Sequence, residues 1–498
     1  MVKKGIKKFL IFCHIPNWLF FVLVATLLLR IPSFFEPYYY GDEMIYLTLG
    51  QGIKSGLTLY KDIHDNKPPL LYYIAAIAGS VFWFRAILTI WMLITTTIFW
   101  KLVIKLFPKN TLLQITSAIS FAILTTLPLL EGQISNAELF MIGPTIIAFY
   151  LLIDKKFTTT KLFLSGVLFS ISTLYKVPGA FDLGAIIFFW IFYKKLNLKK
   201  SILILLGYLT PILLTIIWFA SKNSLNEYIK AAFLQNIGYL SSWRPSDVEK
   251  PFLLRNLPLI IRSILLILGI CILYIKKTKI SKEFVLTALW LLFSLFAVTL
   301  SERPYPHYLI QSVAPVSIFI GMLVARKNKE QVLSIIPLTL AIFVPVYYGF
   351  WLYPSFPYYQ RFIKFATKSI TKEEYFNLFG QNTLKNYKIA EYVLTSTNKN
   401  DKIFVWGDTS VIYALTKRLP PIKYTTDYHI KDFYSINATI AEIKKTNPKI
   451  IIIMTENSEI LTSEFKQFLD INYVKVIQIE EAIIYKSLSP IVKKALFY

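Results

Sequence analysis

In a chain with 29 acidic against 54 basic residues, a carboxylate beside apolar sequence is costly to keep ionised and calls for a role. The first such pair, Asp42-Glu43 in YYGDEMIYLTLGQG, stands directly after the first long apolar segment. Ile45, Leu49 and Ile53 recur at four-residue steps, which predicts an amphipathic helix lying on a membrane with Asp42 at its start. Two readings of Asp42 stay open on this pattern: a helix cap accepting from free backbone amides, or a general base taking a proton from an attacking hydroxyl or amine. Twenty residues on, YKDIHDNKPPLLYY brings Asp62, His64, Asp65 and Lys67 together. Their spacing matches no metal motif. Lys67 precedes Pro68-Pro69, whose rings stiffen the chain and present the ammonium at a fixed depth, as a phosphate ligand or as a snorkelling anchor.

Three further stretches carry polar groups to the ends of apolar segments. EGQISNAELF holds Glu131, Asn136 and Glu138, STLYKVPGAF holds Lys176, and SERPYPHYLIQ holds Arg303, Tyr305, His307 and Tyr308. A guanidinium fork with a histidine donor suits a phosphate, since it binds two oxygens at once. Together these groups describe a pocket for an anionic, lipid-linked substrate. Other chemistries find no support: there is no Walker A loop, no Asp-x-Asp pair and no Ser/His/Asp arrangement, and GQGIKSG is one residue too long for a dinucleotide fingerprint. Cys13 and Cys271 support neither a disulfide framework nor a zinc site.

The elements that must position these residues are membrane spans. With 55% hydrophobic residues and a mean hydropathy of +0.52, the chain is a polytopic membrane protein. Its +25 formal charge comes as short clusters between apolar runs, a topology signal that excludes nucleic-acid binding. Eleven transmembrane helices are predicted near 16–35, 84–106, 111–130, 138–153, 162–175, 178–193, 201–221, 256–275, 283–300, 306–325 and 333–352. The clusters Lys3/Lys4/Lys7/Lys8, Lys101/Lys105/Lys109, Lys155/Lys156/Lys161, Lys194/Lys195/Lys199/Lys200, Lys276/Lys277/Lys279/Lys282 and Arg326/Lys327/Lys329 then all fall inside. Loop 222–255, with Lys222, Lys230, Arg244, Lys250 and Arg255, is basic yet external in this scheme. The scheme requires PPLLYYIAAIAGSVF (68–82) to be interfacial or re-entrant.

The expected organisation is a transmembrane domain over 1–354 with interfacial helices in its first external loop, an interfacial linker over 355–379, and a small extracytoplasmic α/β domain over 380–498. In that last domain KIFVWGD and KIIIIMTEN read as buried strands, INATIAEIKKT as a helix between them, and YVKVIQI with AIIYKS as a closing pair. No site of its own is legible there.

The order of GDEMIYLTLGQGIKSG, DNKPPLLYY, SNAELF, LYKVPG and RPYPHYLIQ resembles the bacterial glycosyltransferases related to protein O-mannosyltransferases and to the aminoarabinose transferase that modifies lipid A. These belong to the GT-C class, and the similarity spans about residues 10–350. The resemblance implies a polyprenyl-phosphate sugar as donor, a protein, glycan or lipid acceptor, and a site at the outer face of the cytoplasmic membrane, with the N-terminus inside. It assigns Asp42 as the essential carboxylate and general base, with Glu43 and Glu138 as further acids. Glu138 departs from the usual Asp and is longer by a methylene. The resemblance places Lys67, Lys176, Arg303, Tyr305 and His307 at the donor phosphate, and Asp65, Asn136 and Tyr308 in the pocket; Val177-Pro178 is inserted before Gly179. It implies inversion at the anomeric carbon and leaves a divalent metal open. A lipid-sugar flippase and an oligosaccharide ligase are the alternatives.

Overall fold

The computed structural model describes residues 15–154, 157–238, 251–301, 303–325, 328–455 and 458–489. Cys13 and the clustered Lys3, Lys4, Lys7, Lys8, Lys155, Lys156, Arg244, Lys250, Arg326 and Lys327 lie outside the described residues. The chain divides into two compact units. One comprises Met1–Phe34, Arg85–Ser221 and Ala232–Tyr358; the other comprises Phe35–Phe84, Lys222–Ala231 and Tyr359–Tyr498.

In the first unit a helix occupies each of the eleven predicted spans. Seven are long and apolar enough to cross a membrane: Asn17–Phe35, Val81–Leu106, Leu198–Ser221, Phe252–Lys276, Lys282–Thr299, Pro306–Ala325 and Lys329–Tyr347. The others, Thr111–Leu124, Ala137–Leu152, Thr159–Tyr175 and Asp182–Phe192, are shorter. The protein is a multi-pass membrane protein. Only 17% of the apolar window of Leu198–Ser221 or Phe252–Lys276 is buried, against 78% for Lys282–Thr299, so the first two present Leu and Ile to lipid while the third lies inside the bundle.

With no hydrophobic drive between helices in lipid, small residues that admit close backbone approach hold such bundles together. Thr159–Tyr175 and Leu198–Ser221 cross in this way. A Cβ on Gly207 would fall 2.0 Å from the Phe163 carbonyl oxygen, and one on Gly166 2.1 Å from that of Ile204. Backbone cannot step aside as a side chain does, so Gly207→Val is expected to destabilise by at least about 1–3 kcal/mol, read as a lower Tm in detergent.

In the second unit a four-stranded sheet runs in the order β1-β2-β4-β3. β1 (Ile403–Trp406) is parallel to β2 (Ile450–Ile453), which pairs antiparallel with β4 (Ala482–Ser487), itself paired with β3 (Tyr473–Ile479). A parallel pair needs a long crossover, and the sequence between β1 and β2 supplies it with helices Val411–Thr416, Asp427–Phe433 and Ile436–Thr446. IFVW and IIII are apolar at every position because both faces are covered. Phe404, Trp406, Ile451 and Ile453 pack with Ile440, Ile443, Phe465 and Leu469. Ile403, Val405, Ile450 and Ile452 pack with Ile389, Val393 and Ile412 on the other side.

The stretch after the first span belongs to this same unit. Gly41–Lys54 is helical as predicted, but Glu43 through Gly50 are all buried, so protein encloses the helix on more than its Ile45/Leu49 stripe. It packs against helix Leu70–Ala78 closely enough that a Cβ on Gly50 would fall 2.5 Å from the Ala76 nitrogen. Leu70–Ala78 has nine residues, ended by Gly79 at φ 65. At about 1.5 Å per residue that is less than half of the ~30 Å hydrocarbon core, so segment 68–82 does not cross as a helix.

Candidate functional site

Two polar clusters gather the residues singled out above, one in each unit. In the second unit, the N-cap of helix Gly41–Lys54 is Tyr40, and Asp42 occupies the second helical position. Capping is therefore not its task. Asp42 Oδ2 accepts a bond from the Tyr46 hydroxyl, one turn on, at 2.9 Å and lies 3.5 Å from Lys67 Nζ. A third of its side chain is exposed, whereas Glu43 is fully buried.

Lys67 is fixed from both sides of its backbone. Its carbonyl accepts from the Tyr60 hydroxyl at 2.8 Å, and its N–H donates to the Tyr72 oxygen at 3.2 Å. Its ammonium sits 5.0 Å from the Tyr46 ring centre and 3.8 Å from Asp65 Oδ2. Asp65, almost wholly buried, accepts from the Tyr72 hydroxyl at 2.7 Å and from the Asn66 N–H at 2.7 Å. Burial opposes its ionisation, but Lys67, His429 and the Tyr72 hydroxyl outweigh it and hold the carboxyl below its usual range. Burial pushes the Tyr60 and Tyr72 phenols up, so both remain donors.

His429, from helix Asp427–Phe433, places Nε2 3.6 Å from Asp65 Oδ1, and its ring faces His64 at 6.3 Å. Sequence reading passed over this residue as part of a domain without a legible site. A signal existed: of four histidines in 498 residues, His64, His307 and His429 all lie in these clusters. Tyr428 beside it is a phenol pushed up by burial and by Asp42 and Asp65.

Burial also pushes the His429 imidazole down, against the pull of Asp65, with Lys67 lowering it and Asp42 and Asp432 raising it. The folded ring thus stays neutral where the unfolded ring, at about 6.5, takes a proton, and stability is lost as pH falls below that value. Asp65 contributes stability that is full above its unfolded value and lost only as pH falls through its lower folded value. The expected result is a Tm that drops as pH falls below about 6.5, with a smaller drop in His429→Phe. An unchanged slope in that variant would place the acid sensitivity elsewhere.

In the first unit, Glu138 stands in the first turn of helix Ala137–Leu152 and pairs with the Lys176 ammonium. Lys176 is the extended residue between helix Thr159–Tyr175 and the short 3-10 turn Val177–Phe181. The Gly179 N–H donates to the Lys176 carbonyl at 2.9 Å. A Cβ on Gly179 would meet Ser172 Oγ at 2.5 Å, which explains a glycine at this bend. Gln311 donates to the Pro178 carbonyl at 3.0 Å and to Asp182 at 3.1 Å, tying the Lys176 turn to the next helix. The Lys176 ammonium also lies 3.5 Å from the Tyr308 ring centre.

His307 joins this pair to a second carboxylate: Nε2 is 3.9 Å from Glu138, and Nδ1 contacts Glu131. Asn136 donates to Glu131 at 3.2 Å, and Tyr305 stacks on His307 at 5.7 Å. Glu131, noted in its loop but given no role from sequence, is thus a direct partner of His307. Arg303 is exposed four residues earlier, its N–H on Ser301 Oγ at 3.4 Å. Beside the Glu138–Lys176 pair opens a 440 Å³ cavity whose other walls are mainly apolar, among them Phe181, Phe233, Leu259, Phe296 and Leu300. Among the described residues, no group of three or more His, Cys, Asp or Glu side chains is arranged to hold a metal ion.

Comparison with solved structures gives the fold. The chain superposes on ArnT from Cupriavidus metallidurans bound to undecaprenyl phosphate with a TM-score of 0.58 at 10% identity, covering 95% of this chain and 98% of that one. The apo form of the same protein gives 0.54 at 10% identity and the same coverage. The chain has the GT-C membrane fold expected from the sequence resemblance, with the small C-terminal strand domain in place. Residues 384–487 match the family described as putative competence-induced protein Ccs4 C-terminal domain. No curated protein sequence matches the chain.

Proposed function

We propose that the protein is a glycosyltransferase that moves a sugar from a polyprenyl-phosphate donor to an acceptor at the outer face of the cytoplasmic membrane. The reading rests above all on the 440 Å³ cavity with the Glu138–Lys176 pair in its wall, in a chain that shares its fold over nearly its whole length with a protein captured holding a polyprenyl phosphate. Such a cavity offers apolar walls to an isoprenoid chain and the Lys176 ammonium to its phosphate.

In this reading Asp42 takes the proton from the acceptor hydroxyl or amine as that atom attacks the anomeric carbon. The bond from that carbon to the phosphate oxygen breaks, and the electron pair leaves with polyprenyl phosphate. The resemblance assigns Lys67, Lys176, Arg303 and His307 to stabilising the charge growing on the phosphate, and Tyr305 stacks against His307. Glu43 and Glu138 are the further catalytic acids of the reading, while Asp65, Asn136 and Tyr308 shape the two clusters. A single displacement inverts the anomeric configuration. The same reading puts the N-terminus inside and residues 380–498 outside.

The test is purified protein in lipid nanodiscs with synthetic polyprenyl-phosphate sugars and a total envelope extract as acceptor. Release of free polyprenyl phosphate, with an inverted product, is the expected result. Retained configuration overturns the single displacement, and binding of every donor without release moves a lipid-sugar flippase ahead.

A further inference from the structure

The second unit contains a cavity of 450 Å³ that the chemistry above does not use. Its walls come from both ends of the unit's sequence: Leu57, Lys61 and Asp62 on one side, Lys402, the Pro420–Tyr424 segment and Tyr434 on the other. Three lysines face two carboxylates, and both carboxylates are already engaged. Asp62 accepts the Thr58 N–H at 2.7 Å, and Glu442 lies 3.8 Å from Lys445. Among the described residues, Lys61, Lys402 and Lys423 have no carboxylate within the 4.0 Å of an ion pair. Lys423 is half-buried, and burial pulls its ammonium below the usual value, with Glu227 opposing the shift and Lys230 adding to it.

The aromatic walls narrow the ligand class. Tyr434 is 43% exposed at the wall, its ring 5.5 Å from that of the buried Tyr424 and inclined to it at 42°, and Pro420-Pro421 makes the adjoining wall rigid. The Tyr424 hydroxyl donates to the Phe433 carbonyl at 3.2 Å, which fixes its ring. Aromatic faces take the C–H surface of a sugar ring, and lysine ammoniums take its carboxylate or phosphate as point charges. The volume lies within the roughly 300–1,000 Å³ typical of small-ligand sites.

We propose that this cavity binds an anionic sugar unit of the acceptor glycan, on the reading that the protein is a glycosyltransferase. Its position supports the assignment. The loop that lines it with Lys61 and Asp62 runs straight on to Asp65 and Lys67, and the intervening His64 donates its N–H to the Lys423 carbonyl at 2.8 Å while its ring meets Tyr424 at 5.0 Å. A glycan seated here rests on the segment that carries Lys67.

The full-length protein in nanodiscs is titrated calorimetrically with tetragalacturonate, with a neutral tetrasaccharide and with inorganic phosphate. Tetragalacturonate is expected to bind at least about tenfold more tightly than the neutral chain, and the double variant Lys61→Gln, Lys423→Gln to lose about tenfold or more, with donor cleavage to a small acceptor unchanged. Equal binding of acidic and neutral chains, equal binding by wild type and variant, or no binding at all overturns the subsite. Inorganic phosphate competing as well as the oligosaccharide overturns its sugar specificity. Binding that holds without any donor cleavage removes the transferase reading and keeps the site, whereas cleavage without binding does the reverse.

Discussion

Asp42→Asn is expected to stop release of free polyprenyl phosphate, lowering the rate by about 10²–10⁴, the contribution typical of a positioned general base, while donor binding stays within a few-fold. Asparagine has the shape of aspartate and keeps an oxygen for the Tyr46 hydroxyl, 2.9 Å away. It cannot accept a proton at neutral pH. The carboxylate is fixed at the second position of a helix, paired with Lys67 at 3.5 Å and still a third exposed, so it is at once oriented and reachable. Because Tyr40 holds the N-cap, loss of activity in Asp42→Asn is not explained by an unwound helix end, and an unshifted Tm in the same variant would confirm that. Equal release by wild type and variant would remove Asp42 from the chemical step.

Lys67 sits between two carboxylates, and its backbone is held by Tyr60 and Tyr72. The sequence made the lysine visible through Lys67-Pro68 but not this clamp, since the tyrosines read as two among 31. The same holds more widely. Spans were legible because a ~30 Å hydrocarbon layer demands long apolar runs, and KIFVWGD and KIIIIMTEN because a strand covered on both faces has no polar position. Helix Ser463–Asn472 buries only Phe465 and Leu469, and helix Thr383–Ser396 buries polar Thr383, Lys385 and Asn386 beside Ile389, Ala390 and Val393, so neither carried a clean apolar stripe. The union of Phe35–Phe84 with Tyr359–Tyr498 in one compact unit had no local signature at all. One of its joints is a backbone bond from His64 to Lys423, which any residue pair could make, and another is His429 on Asp65. Long-range partners of this kind follow from tertiary packing, not from spacing. Glu131 illustrates it again: a left-handed residue at φ 57 after Pro128–Leu130 finds His307 more than a hundred residues away.

Lys176→Met is expected to fail in two separable ways. The side chain is mostly buried, and its removal leaves the Glu138 carboxylate inside the helix bundle beside the His307 ring at 3.9 Å. Breaking a buried pair from one side costs about 3–5 kcal/mol, so the folded protein should be strongly destabilised. Adding Glu138→Gln removes the stranded charge, and the double variant should recover most of the Tm. Function should not follow. A methionine in the 440 Å³ cavity offers no charge to a phosphate, so affinity for undecaprenyl phosphate should stay low in the double variant even where stability returns. Recovery of both together would make the Glu138–Lys176 pair a packing element and would remove Lys176 from the donor phosphate. Recovery of stability alone ties Lys176 to the lipid phosphate, because a structural role predicts that the two measurements move as one.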